Sequence, residues 1–278
     1  ADGRQGPTLD GQRRKPDLLG PGCDTESANL SSAAVPCNIS TDQAAFGGSA
    51  AVIAPLSVSA YCRTSFATPV VAAAAAIVRQ YFVEGRHPTG YAQPANRLHP
   101  TAALLKAVLV NASEKPSSSS SSDYPLDTEG WGVLRLNRIL RLPGGSRKFQ
   151  CWDVRNDSGA GLFTGESVPR TLTVRSNRKP LRVTLVWTDA PGERAIANPA
   201  VNDLDLTVTS PSGTMYRGNV FNNGFSATGG TADTQNNVEM VVIQKPDAGD
   251  WTITVTAREV NVGNQGQGYA LVARGDIR

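Results

Sequence analysis

The sequence predicts two structural parts: a first half of loops and two helices, and a second half that is an antiparallel β domain of sandwich or jelly-roll type. Up to about residue 145, Pro- and Gly-rich loops alternate with Ala- and Leu-rich segments. After that point, short runs of alternating apolar and polar residues are separated by turn residues. Pro143-Gly144-Gly145 has the composition of a linker, so we expect the parts to span residues 1–145 and 146–278.

Two segments of the first half have a helical pattern. One runs from about Thr68 to Val83, with Pro69 in the first turn, where the missing N–H of proline costs nothing. The other runs from Pro100 to Ala112 and is rich in Ala and Leu. The segment between them, Glu84 to Leu98, is typical of a loop, and the serine run Ser117–Ser122 is typical of solvated, low-complexity chain.

Six runs of the second half favour β-branched or aromatic residues with period-two alternation. They are Thr171–Val174, Leu181–Trp187, Leu204–Thr209, Val238–Ile243, Trp251–Ala257 and Tyr269–Arg274. Turn sequences such as Pro211-Ser212-Gly213 separate them, with no helical interlude. This spacing favours a sandwich or jelly roll over a βαβ arrangement.

Composition excludes several classes of protein. Of 278 residues, 40% are hydrophobic and 18% charged, which indicates a globular chain rather than a disordered one. A net charge of +3 is too small to predict a nucleic-acid partner. The Ala-rich run from Val70 to Val78 ends at Arg79-Gln80, and Ala1 to Pro16 has no apolar core, so we expect neither a membrane span nor a signal peptide.

Cysteines and glycosylation sequons permit a secreted or cell-surface protein without requiring one. The four cysteines show no Cys-x-x-Cys spacing, which disfavours a zinc ribbon or a thioredoxin-type motif: Cys23, Cys37, Cys62 and Cys151. Disulfides Cys23–Cys37 and Cys62–Cys151 are one interpretation, and isolated buried thiols are the other. Asn-x-Ser/Thr sequons, which predict a glycoprotein, occur at Asn29, Asn38, Asn111 and Asn156.

Ser65 is the candidate nucleophile. It stands just before a predicted helix, where the helix dipole and the free N–H groups of the first turn favour developing negative charge. The small Ala67 leaves room for an acyl group beside it. An ordinary N-cap serine would have the same position, so Ser65 alone does not predict catalysis.

The residues around Ser65 resemble a known motif. Thr64-Ser65-Phe66-Ala67-Thr68-Pro69 is similar to the nucleophile motif of subtilisin-like serine proteases, the subtilases. Further segments resemble the same family in the same order along the chain. They are Gly6–Gly11, Lys15–Gly22, Leu104–Ala107, Gly130–Gly132, and, in the β-sandwich that follows some subtilase domains, Leu185–Pro191, Val201–Leu206 and Pro211–Thr214.

The resemblance implies the C-terminal portion of an α/β subtilase domain, a partial doubly wound parallel sheet, followed by a jelly-roll domain. It implies a secreted serine endopeptidase that acts on proteins or peptides and needs no organic cofactor. Ser65 would attack the peptide carbonyl, a histidine would take its proton, and an aspartate would orient that histidine. The Ser65 N–H and a family Asn would form the oxyanion hole, with Thr64, Ala67, Thr68 and Pro69 shaping the helix start.

The sequence also departs from the family. Subtilases place Asp, His and the oxyanion Asn before Ser, but no histidine precedes Ser65, and His87 and His99 have the context of loop residues. Arg63 replaces the motif glycine, and Ala73 replaces a glycine of the central helix. We therefore expect this chain alone to be inactive. Either the rest of the catalytic domain or another chain completes it, or it is a degenerate, non-catalytic structural or binding module.

Acidic and amide side chains around two strand starts predict a calcium site, because calcium prefers six to eight oxygen ligands. The candidates are Asp189, Asn202, Asp203, Asp205, Asn237 and Glu239. Related subtilases often hold calcium in this kind of sandwich. The alternative for each residue is an Asx-turn or a strand-end cap.

Overall fold

The computed structural model describes residues 6–8, 13–22, 64–116, 124–146, 148–192 and 200–278, and the backbone of 25–29 and 57–61. The helices are α1 (Thr64–Val83) and α2 (Ala102–Ala112), with short 3₁₀ turns at Pro94–Asn96 and Leu136–Arg138. The strands β1 (Thr25–Asn29) and β2 (Ser57–Tyr61) form an antiparallel pair.

The described residues of the second half form nine strands. They are β3 (Phe149–Val154), β4 (Ser167–Val174), β5 (Leu181–Val186), β6 (Asn202–Thr209), β7 (Met215–Asn222), β8 (Phe225–Thr228), β9 (Val238–Ile243), β10 (Gly249–Val260) and β11 (Tyr269–Arg274). They form two antiparallel sheets, in the orders β4-β10-β6-β7-β8 and β3-β11-β5-β9. All six predicted strands are present within a few residues of their predicted bounds.

The two sheets pack face to face around an apolar core. Along β6 the inward residues alternate with outward ones, and the same alternation along β9 places Val241 and Ile243 in this core. Trp187 and Trp251 are both buried there, and each indole N–H donates to a backbone carbonyl, of Asn202 and Asp247 respectively. The second half is therefore an antiparallel β domain of two layers.

A second apolar core lies on the outer face of the sheet β3-β11-β5-β9. The helix α2 packs on β11, β5 and β3, and α1 packs against α2. Val238, Met240 and Val242 on β9 face this second core, opposite the residues that face the sandwich interior. The two predicted parts thus share one hydrophobic core rather than meeting only at a linker.

Hydrogen bonds anchor both ends of α2 to the β domain. The Thr101 hydroxyl accepts from the Leu104 N–H and caps the helix, while Thr101 itself donates to both carboxylate oxygens of Asp153 on β3, at 2.9 and 2.5 Å. Near the other end, the fully buried Asn111 side chain donates to Thr184 Oγ1 at 3.0 Å and to the carbonyls of Arg182 and Val272.

Several expectations are wrong or incomplete. The described residues contain no parallel sheet, since their parallel pairing is limited to one bridge between Leu19 and Val133. Strands β1, β2, β3, β7 and β8 were not predicted. In β3, β7 and β8, polar or glycine residues interrupt the alternation. Cys151 is a free thiol, which contradicts a Cys62–Cys151 disulfide. The other three cysteines lie outside the described residues.

The helix α1 is longer than predicted and mostly exposed. Among the described helices, it alone has the length and apolar character that a membrane-crossing helix would need, with a mean hydropathy of 1.5. The core helix of a soluble protein meets the same criterion, so the observation is weak evidence for a span. Val70 and Ile77 are 39% and 52% exposed. Part of the apolar surface of α1 is therefore not covered by the described residues.

Replacement of Asn111 tests how α2 is held. Asn111→Ala removes three buried hydrogen bonds and leaves a small cavity, so we expect the free energy of unfolding to fall by about 2–4 kcal/mol. Asn264→Ala, at an exposed loop position, is the control and should change it by less than about 0.5 kcal/mol. Urea unfolding measures both, and equal stabilities would contradict the anchoring role. Because Asn111 is buried, its sequon should carry no glycan in peptide mapping.

Candidate active site

Ser65 lies in the first turn of α1, and its side chain is exposed. No hydrogen bond joins its hydroxyl to another described residue. The Thr68 hydroxyl donates back to the Thr64 carbonyl at 3.0 Å. Because α1 begins at Thr64, Pro69 lies inside the helix and not in its first turn as predicted, so its missing N–H removes one intrahelical hydrogen bond. The first N–H groups of a helix have no acceptor within the helix, and the helix dipole is positive at this end, so the start of α1 favours a negative charge near Ser65.

An extended segment, Lys15–Gly20, forms a wall beside the start of α1. The Leu19 N–H donates to the Gly132 carbonyl at 2.9 Å, which fixes this segment against the chain after α2. Gly20 touches the first turns of α1 so closely that a Cβ there would stand 2.8 Å from the Ala67 carbonyl oxygen. Only glycine fits, which explains the small residue at this point of the sequence.

A charged group joins this wall to α2. The Asp17 carboxylate contacts the ammonium groups of Lys15 and, at 3.3 Å, Lys106 on α2. Burial by itself would raise the pKa of Asp17, but the charges of Lys106 and Lys15 outweigh it and hold that pKa below its usual range. The Trp131 N–H donates to the Asp17 carbonyl at 2.9 Å. The three separate segments around Asp17, Lys106 and Trp131 therefore meet at one place.

Both histidines lie far from Ser65. His87 follows the C-terminal end of α1, and a helix of 20 residues is roughly 30 Å long. Its ring packs on Phe149 at 4.4 Å and on Phe82 at 5.7 Å between ring centroids, and burial lowers its pKa to about 4. His99 adjoins Leu98, whose N–H donates to the Phe82 carbonyl at the same end of α1. Neither ring can take a proton from Ser65.

Comparison with known proteins adds to this geometry. Residues 3–132, which include Ser65 and the wall beside it, match the Subtilase family. This part of the chain is a subtilase segment. The chain is also 34% identical over 278 aligned residues to the Dictyostelium discoideum serine protease/ABC transporter B family protein tagD. That alignment covers 86% of this chain and 15% of the relative.

A second Dictyostelium discoideum relative, the serine protease/ABC transporter B family protein tagB, is 30% identical over 94% of this chain and 15% of its own length. The chain thus spans about a seventh of these relatives. Among solved structures, the Bacillus licheniformis lipase BlEst2 in its propeptide form covers 54% of this chain and 30% of its own, at 13% identity and a TM-score of 0.28. That score is too low to support an argument.

All six predicted calcium ligands lie outside the subtilase segment, and three of them are engaged by the protein itself. The Asp189 carboxylate accepts from the N–H groups of Ala190, Val201 and Asn202. The Asn202 side chain accepts from two N–H groups of the β10–β11 loop and donates to Gln267. Asn237 donates to the Trp187 carbonyl. These residues act as loop caps, the alternative reading of the pattern.

The other three keep unsatisfied oxygens. Asp203 and Asp205 lie 3.8 and 3.7 Å from Arg258, and each retains a buried carboxylate oxygen without a partner. Burial and then the charge of Asp205 raise the pKa of Asp203 to about 6. Glu239, only 1% exposed, accepts from the Leu206 N–H, and burial raises its pKa well above the usual range.

The six candidates do not converge on a single ion. Within the described parts of the chain, no group of three or more His, Cys, Asp or Glu side chains is arranged to hold one metal. The structure therefore does not bring the predicted calcium ligands together as one set.

Sequence reasoning missed the polar side chains that join the subtilase segment to the β domain. The Ser113 and Tyr124 hydroxyls both donate to the Trp131 carbonyl, at 2.5 and 2.8 Å, and the Arg182 guanidinium donates to the Tyr124 hydroxyl at 3.0 Å. An arginine within the otherwise apolar run of β5 was the available signal, because a charge in a fully buried strand requires a specific partner.

The partly buried His87 makes stability depend on pH. Its folded pKa of about 4 lies below the usual value of about 6.5, so the unfolded chain binds the proton more readily. Its contribution is complete above pH 6.5 and is lost as the pH falls from there towards 4. We expect the loss in free energy of unfolding between pH 7 and 5 to be about 1–2 kcal/mol smaller in His87→Phe.

Urea unfolding at the two pH values measures this difference. His99→Gln, at the exposed histidine of the same loop region, is the control and should keep the wild-type dependence. An unchanged pH dependence in His87→Phe would show that the ring is not held neutral by burial.

Proposed function

We propose that this chain carries the nucleophile, Ser65, of a subtilisin-type serine endopeptidase, and that its Asp, His and oxyanion Asn are supplied from outside this chain. The observation that carries the proposal is the exposed hydroxyl of Ser65 at the start of α1, inside the segment that matches the Subtilase family. The close approach of Gly20 to the Ala67 carbonyl supports it, because this contact limits the position of the first turn of α1. The Asp17–Lys106 ion pair holds the segment that contains Gly20 against α2.

In the proposed reaction, Ser65 Oγ bonds to the carbonyl carbon of a peptide while its proton passes to the supplied histidine. The carbonyl oxygen becomes negative and accepts from the Ser65 N–H and from the supplied Asn. The histidine then protonates the leaving amine, and water releases the acyl group by the reverse sequence. Thr64, Ala67, Thr68 and Pro69 shape the helix start and leave space for the acyl group.

The uncovered face of α1 supports the proposal that a partner completes the catalytic domain. Val70 and Ile77 lie on the exposed side of a helix whose opposite side packs against α2. A central helix of an α/β domain is normally covered by sheet on one face. We propose that the remaining part of the catalytic domain, or a second chain that supplies it, covers these residues.

A non-catalytic role is the second candidate. Arg63, where the family has glycine, lies outside the described residues, and a long cationic side chain at that position disfavours a tight motif. The intact Thr64–Pro69 sequence favours the enzyme. In the second candidate, the subtilase segment serves as a structural or protein-binding module.

We further propose that the β domain is a jelly roll of a secreted or cell-surface protein. From β3 to β6, consecutive strands alternate between the two sheets, and this alternation supports a jelly roll over a meander. We propose that the protein has neither a nucleic-acid partner nor an organic cofactor. The pairing Cys23–Cys37 and glycosylation of Asn29, Asn38 or Asn156 belong to the same proposal of an extracellular protein.

Active-site labelling tests the enzymatic proposal. A fluorophosphonate probe should label Ser65 in native material that contains this chain, as mapped by peptide mass, and should leave the isolated 278-residue chain unlabelled. The physical reason is that an unactivated serine hydroxyl is a weak nucleophile without a base. Losing triad members costs on the order of a millionfold in rate.

Matched variants sharpen this test. Ser65→Ala should abolish the label, and Ser212→Ala, at an exposed turn serine, should retain it. Labelling of the isolated chain at Ser65 would contradict the proposal that the base lies elsewhere. Absence of label in folded, inhibitor-free native material would favour the non-catalytic module.

Calcium remains a proposal for a smaller set of ligands than the sequence predicts. We propose that Asp203 and Asp205 bind the ion, because each has a buried carboxylate oxygen without a partner and the two lie on one face of β6. Backbone carbonyls and water would complete the coordination.

A chelator should then lower the melting temperature by a few degrees, since an ion at about 100 times its Kd contributes roughly 2.7 kcal/mol. Asp205→Asn should remove the chelator effect, and Asp247→Asn, in an exposed turn, should keep it. An unchanged melting temperature after chelation of the wild-type chain would sink this proposal.

A further inference from the structure

A cavity of about 500 Å³ lies where the C-terminal end of α2 meets the starts of β5 and β8 and the end of β11. Its charged lining is almost entirely basic. Six cationic side chains face a single carboxylate, Glu114: Lys115, Arg138, Lys148, Lys179, Arg182 and Arg274. The volume is within the range of small-molecule sites. None of the residues that line the cavity belongs to the proposed protease site.

The protein does not balance this charge by itself. Glu114 pairs with Arg138 at 2.9 Å, and the C-terminal end of α2 offers only about half an elementary negative charge. Neither Arg182 nor Arg274 forms an ion pair with any described residue. Arg182 is only 8% exposed, and a buried charge without a counter-ion is strongly unfavourable. The cavity therefore has an excess of positive charge that an anion would neutralise.

Two guanidinium groups also keep unused donors. The Nε atoms of Arg182 and Arg274 are buried and have no hydrogen-bond partner. Arg182 is held in place, since its Nη2 donates to the Tyr124 hydroxyl at 3.0 Å and contacts Met240 Sδ at 3.1 Å. Burial, followed by the nearby charge of Arg182, lowers the pKa of Arg274 to about 9. The charged form of such a desolvated guanidinium is strongly stabilised when an anion approaches.

The rest of the lining is apolar or aromatic. Tyr124, Phe225, Val242 and Pro180 stand beside the basic groups. Arginine forks bind phosphate and carboxylate in a bidentate manner, but a single carboxylate carries one charge, whereas a phosphomonoester carries −1.5 to −2 at pH 7. Two arginines without an ion pair to a described residue, Arg182 and Arg274, fit the larger charge, and the apolar lining fits an organic substituent.

We propose that this cavity binds a small phosphomonoester with an aromatic or apolar body, whose phosphate contacts Arg182 and Arg274 and whose body lies against Tyr124 and Phe225. The site is independent of Ser65, so its failure and the failure of the protease proposal are separate outcomes. The exposed Lys148 and the half-buried Lys179 attract the anion, and the more deeply placed arginines fix the orientation of the phosphate.

Calorimetric titration of the whole chain with phenyl phosphate at about 0.1 M salt tests the proposal. We expect saturable 1:1 binding, and roughly tenfold weaker binding of inorganic phosphate, which lacks the ring, and of benzoate, which lacks the second charge. Arg274→Gln should weaken phenyl phosphate binding roughly tenfold, and Arg274→Lys should restore part of the loss because it restores the charge without the planar fork.

Two further variants keep the test informative even if the arginine variant does not fold. Lys148→Gln with Lys179→Gln changes only these two lysines and should weaken binding several-fold, whereas Arg155→Gln, at the opposite end of β3, should leave it unchanged. The NMR signal of the Arg182 Nε–H should shift on addition of phenyl phosphate. No saturable binding, equal affinity in the lysine and control variants, or an unmoved Arg182 signal would each overturn the proposal.

Discussion

The burial of α2 between two layers is the constraint on which the rest of the structure depends. One face of α2 packs on β11 and β5, the other contacts α1, and eight of its eleven residues are buried. A helix so apolar would not be stable alone, because fully burying each Leu or Val side chain contributes roughly 1.5–3 kcal/mol that only these neighbours provide. Its position therefore fixes α1, and with α1 the place of Ser65.

This arrangement makes the β domain part of the support of the candidate active site. Asp153 on β3 holds the start of α2, and Thr184 on β5 binds Asn111 near its end. A disturbance of the sheet would therefore be transmitted to the helices through a packed core rather than through a flexible linker. The second half of the chain therefore supports the helices of the subtilase segment and is not an independent domain joined only by a linker.

Much of the β domain could be predicted because its strands obey simple alternation and its turns use Pro, Gly and Ser. The prediction of β5 succeeded on its run of β-branched and aliphatic residues, although Arg182 within that run received no role. Pairing across 70 or more residues, as between Asn111 and Thr184, leaves no local sequence signal. The same holds for Asp153, which resembles any strand-end acid until the tertiary fold places it at the start of α2.

The candidate site was predicted only in part, for a related physical reason. A nucleophile at a helix start has a local signature, so Ser65 could be found, but the activating base is a long-range contact that the described residues do not provide. The acidic and amide residues before β6 and β9 gave a wrong prediction for the opposite reason. Asp189, Asn202 and Asn237 are residue types that bind calcium, yet backbone N–H and C=O groups engage their side chains. Composition identifies donors and acceptors, and only the fold determines whether water, an ion or the chain itself satisfies them.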